Sequence, residues 1–278
     1  MTISRGALFQ LFKYAVYVLL AMNVYWFFVE EYSAAQLQFA DGVGLRDMIE
    51  AYAATIDTFA WVILLLMFEL ETYVLEDRHF TKPVVFTLHG LRAICYGFII
   101  YAFYGYVINL WFLDGTAPLP GIDDLCLLAD QQWSYATNLD EYAAITAANC
   151  ETFSTATSFL RLDGMQAVVD QAGLDTLRGL AWIDVINSGV WLLVVLVLEI
   201  DVRLQVHNRF EGAAFHVSKF MKFVLYSTLL FAAVYWGIDG DFLDFWDAFL
   251  WLVAFVFIEL NVFEWRAEEL EEAATSPD

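Results

Sequence analysis

Residues 180–202 read LAWIDVINSGVWLLVVLVLEIDV, an apolar run interrupted by a few acids and amides. An α-helix needs about 20 mostly apolar residues to cross the hydrocarbon layer of a bilayer, so this stretch is long enough to do so. Five further runs meet the same condition: 8–29 (LFQLFKYAVYVLLAMNVYWFFV), 52–75, 91–113, 218–237 and 244–263 (DFWDAFLWLVAFVFIELNVF). Backbone N–H and C=O groups cannot remain unpaired in lipid, so each run is predicted to be helical. The period-two segments of a membrane barrel are absent. Composition agrees, with 60% hydrophobic and 17% charged residues, against about half and a quarter in soluble domains. The fold class expected is an all-α membrane protein with six transmembrane helices. The first run carries Lys13 and is about as long as the others, so it reads as a span and not as a cleaved signal peptide.

A spacing recurs in the second, fourth and sixth runs. Asp57, Trp61, Glu69 and Glu71 stand in the same order and at the same intervals as Asn187, Trp191, Glu199 and Asp201. Asp247, Trp251, Glu259 and Asn261 repeat it again, giving [DN]-x3-W-x7-E-[LI]-[EDN]. The alternate runs share a basic residue four before a tyrosine: Lys13 and Tyr17, Arg92 and Tyr96, Lys222 and Tyr226. The pattern predicts three parallel, pseudo-repeated helical hairpins, 8–75, 91–202 and 218–263, related by an axis near the membrane normal.

Basic residues fix the expected orientation, because cytoplasmic connections retain them. Ten of the thirteen, from Arg5 and Lys13 through Arg203 to Arg266, fall at one end of the predicted helices; Arg46, Arg161 and Arg178 fall at the other. Both termini are therefore expected in the cytoplasm, in the cell (inner) membrane, with residues 264–278 an acidic cytoplasmic tail. Residues 114–179 form the longest outer connection and contain Cys126 and Cys150. A bridge between them would staple this region as a cap, closing a loop worth roughly 3 kcal/mol. Within the cap, a short helix is expected near 163–171, ending at Gly173.

Acids inside a membrane helix cost about 2.5–3.5 kcal/mol on insertion scales, so each needs a base, water or a bound cation. Glu69, Glu199 and Glu259 are expected to form an inner ring with Lys13, Arg92 and Lys222, joined by Glu71, Asp201 and Asn261 two residues on. Asp57, Asn187 and Asp247 make an outer polar level about 18 Å away, 12 residues along the helix. Trp61, Trp191 and Trp251 lie between the levels as a constriction or as packing.

The reading that follows is a small channel or transporter moving cations or protons along these carboxylates. Its rivals are a non-catalytic scaffold or accessory subunit for other membrane proteins, and a sensor whose outer loop binds a ligand. Partners implied are membrane lipid, cations or protons, and further copies or other membrane proteins. The net charge of −22 excludes the basic patch of a nucleic-acid binder. No nucleotide loop, zinc-protease signature or nucleophile elbow occurs, so no enzyme, cofactor or metal site is expected. Three parallel hairpins with charge networks look superficially like mitochondrial carriers. Those carriers kink at prolines within their repeats, whereas Pro83, Pro118, Pro120 and Pro277 all fall outside the six runs.

Overall fold

Hydrocarbon-length helices dominate the computed structural model, which describes residues 5–38, 43–45, 47–71, 81–206, 212–239, 241–255 and 257. The long helices are α1 (Arg5–Gln38), α3 (Ala53–Glu69), α4 (Lys82–Phe112), α6 (Gln171–Val206) and α7 (Ala213–Asp239). A last helix, α8, covers 242–255, and the short α2 (Met48–Ala51) and α5 (Cys150–Phe153) lie in connections. Four stretches are long and apolar enough to cross a membrane: Leu8–Leu37, Lys82–Gly115, Gln171–Asp201 and Ala213–Asp239. Among the described residues α3, at 17 residues, and α8 are shorter.

Several helices extend a turn or more beyond the apolar runs that predict them. Thus α4 begins at Lys82, not near 91, and Pro83 lies inside its first turn, contrary to the expectation that all prolines avoid helices. The first turn tolerates proline because its N–H groups have no intrahelical acceptor.

Neighbouring helices pack in the order α1, α3, α4, α6, α7. Phe257 returns to α1, with its ring 5.1 Å from Phe9 and 5.5 Å from Phe12. All six helices feed one core, through residues such as Leu20, Leu65, Ile99, Val194, Leu229 and Ala254. The outward faces carry large exposed apolar side chains, among them Phe86, Ile100, Leu196, Phe223 and Phe231. An apolar belt of that extent suits lipid better than water.

Close approach of α2 and α3 to α4 depends on Gly105. A Cβ there would lie 2.8 Å from the Ile49 carbonyl oxygen and 3.2 Å from the Ala53 Cβ. Gly105→Ala is therefore expected to destabilise the protein by about 1–3 kcal/mol, the range for overpacking. Gly97, with nothing within 4 Å of such a Cβ, is the control: Gly97→Ala should be neutral or slightly stabilising, since alanine is the better helix former. Thermal unfolding of the two variants in one detergent compares them directly.

The cap departs from an all-α description. Between α4 and α6 the chain forms a small mixed sheet of β1 (Ala117–Pro118), β2 (Ser134–Ala136), β3 (Tyr142–Ala144), β4 (Leu160–Arg161) and β5 (Ala167–Val169). Its strand order is β1-β4-β5-β2-β3, and only the β2–β5 pairing is parallel. One side of the cap packs Leu125, Ile145, Phe159 and Val168 around the Cys126–Cys150 disulfide. The other side joins Leu162, Met165 and Val169 to Leu174 and Leu177 at the start of α6, which docks the cap on the helices.

The helix expected near 163–171 is instead a turn followed by β5. Asp170 then caps α6, accepting from the Gly173 N–H at 2.6 Å, while the Leu174 N–H bonds its carbonyl at 2.9 Å. Gly173 belongs to the first turn of α6, where a side chain would collide with Val169.

Candidate functional site

At the end of the bundle opposite the cap, acids and bases are paired. Lys13 on α1 donates to Glu69 Oε1 on α3 at 2.6 Å, with the lysine fully buried and Glu69 6% exposed. The Tyr14 and Tyr17 hydroxyls donate to the same carboxylate at 3.0 and 3.4 Å. Glu71 lies in a π-type turn at 70–71, and both its oxygens accept from Arg92 on α4, at 2.9 and 2.7 Å. Two residues on a helix are separated by about 200°, so Glu69 and Glu71 reach helices on opposite sides of α3.

On α6 the assignment differs from expectation. Asp201 faces inward, 2.7 Å from Lys222 and 2.6 Å from the Ser218 hydroxyl, both on α7. Glu199 points outward with its side chain 53% exposed and meets Arg203 one turn along its own helix at 3.0 Å. Of the expected ring, the described residues form the separate pairs Lys13–Glu69, Arg92–Glu71 and Lys222–Asp201, with Asp201 taking the place expected of Glu199. Both pairs, Glu71–Arg92 and Asp201–Lys222, span 21 residues of sequence. Glu259 and Asn261 lie outside the described residues.

Midway along the bundle, three tryptophans from three helices meet. The Trp61 ring centroid lies 5.9 Å from Trp191 and 6.1 Å from Trp251, and Trp191 and Trp251 are 6.4 Å apart. Phe255 packs against Trp191 in a tilted arrangement, with ring centroids 4.5 Å apart. All three indoles are buried, so the bundle axis is filled at this level.

One turn nearer the cap, Asp57, Asn187 and Asp247 each precede their tryptophan by four residues and so share its inward face. Asp247 accepts from Asn23 of α1 at 2.7 Å. Oδ1 of Asp57, Oδ1 of Asn187 and the Ser188 hydroxyl are buried without a partner among the described residues. Three residues further towards the cap come Asp184 on α6 and Asp244 on α8. None of Asp57, Asp184, Asp244 and Asp247 pairs with a described lysine or arginine. This concentration of half-buried acid was legible only in part. The signal was the spacing D-x2-[DN]-x3-W, shared by Asp184–Trp191 and Asp244–Trp251.

Glu31 has a different task. Its carboxylate accepts from the Ala54 and Thr55 N–H groups at 2.7 and 3.0 Å, and from the Thr55 hydroxyl at 2.6 Å. These are otherwise unsatisfied donors in the first turn of α3, and the carboxylate also complements the positive end of the helix dipole. Among the described residues, no three His, Cys, Asp or Glu side chains converge to hold a metal ion.

Under the cap, Asn138 donates to Asp241 at 2.7 Å, and Asp140 lies beside that pair. Burial, then the charges of Asp241 and Glu141, push the Asp140 carboxyl from its ordinary 3.8 up to about 6. The folded cap therefore holds a proton more tightly than the unfolded chain does. Its contribution to stability is fully present below about pH 4 and is lost as pH rises through about 6, a change of roughly 2–3 kcal/mol. Asp140→Asn should flatten this part of the stability profile, read by unfolding between pH 4 and 7.5.

The chain matches no family, no curated protein and no solved structure.

Proposed function

We propose that this protein crosses the membrane six times and moves protons or small cations, using the acids at the cap end as the binding and relay site. One contrast carries the reading. At the end away from the cap, the described inward-facing acids have bases, whereas Asp57, Asp184, Asp244 and Asp247 are half-buried with no described lysine or arginine beside them. A carboxylate in that setting needs a proton, a cation or water to offset its charge. The ion pairs seal the far end, and the Trp61–Trp191–Trp251 cluster is the constriction that a transported ion must pass.

Support for three parallel hairpins comes from the repeated 21-residue pairing and from the tryptophans, one from each predicted hairpin. The basic residues at the ion-paired end favour a cytoplasmic location for that end, with the cap outside.

The scaffold reading keeps one specific observation in its favour, since the ion pairs also tie the helices together. The protein reconstituted in liposomes containing a pH-sensitive dye separates the two. Proton or cation entry above protein-free vesicles under an imposed gradient supports transport. Background flux under every pH, Na+ and K+ gradient supports the scaffold.

A further inference from the structure

A cavity of about 730 Å3 opens on the side of the bundle between α1, the start of α8 and the underside of the cap. That volume falls within the ~300–1,000 Å3 typical of small-molecule sites. Its walls have two chemistries. Towards the membrane interior they are apolar: Leu19, Met22 and Trp26 of α1 face Leu243 and Trp246 of α8. At the cap end they are acidic, with Glu30, Asp140 and Glu141, and among the described residues no lysine or arginine lines the cavity.

The cavity is continuous with the outward apolar surface, because its lining residues Met22, Trp26 and Phe242 are themselves exposed there. An occupant can thus enter sideways from lipid without crossing water. It must be apolar along its length and positively charged at the end that meets the cap. A phosphate-bearing or sulfate-bearing head would stand against three carboxyl groups and is disfavoured. The indoles of Trp26 and Trp246 add faces that attract a cation passing over them.

We infer that this groove is a binding site for a membrane amphiphile with an ammonium head, its chain lying along Met22, Trp26 and Trp246 and its head among Glu30, Asp140 and Glu141. Asn23, which lines the groove and donates to Asp247, is the wall between this site and the acids of the bundle interior. The inference rests on the groove alone and stands whether or not the protein transports ions.

The test uses the full-length protein in phosphatidylcholine bilayers, with spin-labelled amphiphiles of one chain length carrying a trimethylammonium or a sulfate head. Electron paramagnetic resonance reports the fraction immobilised by the protein. The native protein should immobilise the ammonium probe several-fold more than the sulfate probe. The triple variant Glu30→Gln, Asp140→Asn, Glu141→Gln should bring that ratio close to one. Its net charge changes only from −22 to −19, so a ratio that persists would mean general attraction to an acidic protein and would overturn the site. Equal immobilisation of the two probes by the native protein would overturn it as well. Met22→Trp, which fills the groove and leaves every charge in place, decides the matter should the triple variant fail to insert. Loss of the ammonium preference in that variant supports the groove, and retention refutes it.

Discussion

Replacing Lys13 by methionine is expected to cost about 3–5 kcal/mol, the usual consequence of removing one partner from a buried ion pair. The lysine is fully buried and 2.6 Å from Glu69, which is itself enclosed. Without the ammonium group, Glu69 keeps the Tyr14 and Tyr17 hydroxyls, but two neutral donors do not offset a full charge away from water. The double variant Lys13→Met, Glu69→Met removes both charges and replaces them with side chains that pack. It should recover most of the loss, because a buried pair exchanged for apolar groups is often neutral or stabilising. Thermal unfolding of the four proteins completes a double-mutant cycle. Additive losses from the two single changes would mean that the pair is not a unit.

Much of the helical core was readable because hydrophobic length and helical spacing are strong signals. The interval of four between Asp57 and Trp61, and its counterparts at Asn187 and Asp247, fixes a common face on each helix, and the three tryptophans do meet. Spacing alone could not say which member of an acid pair turns inward. At the end of α3 both Glu69 and Glu71 find bases, on α1 and α4 respectively. On α6 the rotation set by packing against α7 brings Asp201 to Lys222 and leaves Glu199 outside.

The cap was the least legible region. Its strands are two or three residues long, too short for alternation to show. Gly173 resembles a helix C-cap until Asp170 is recognised as an N-cap three residues before it. Charge counts misled in another way. Glu31 and Asp140 each add one unit to the net charge of −22, yet one caps α3 and the other is half-buried beneath the cap. Composition records a charge; only the fold determines whether water reaches it.

The second large effect concerns the acids without bases. Asp57→Asn combined with Asp247→Asn should leave a folded protein, because asparagine has nearly the same shape and already occupies the corresponding position at residue 187. Transport should nevertheless fall to background, because an amide neither carries a proton between neighbours nor offsets a cation's charge. Glu199→Gln changes an exposed acid paired on its own helix, and its flux should match that of the native protein. The decisive comparison is proton and cation flux into liposomes, measured side by side for the native protein, the Asp57→Asn, Asp247→Asn double variant and Glu199→Gln. Flux is expected in the first and third and none in the second. Native-level flux through the double variant would contradict the relay role of Asp57 and Asp247.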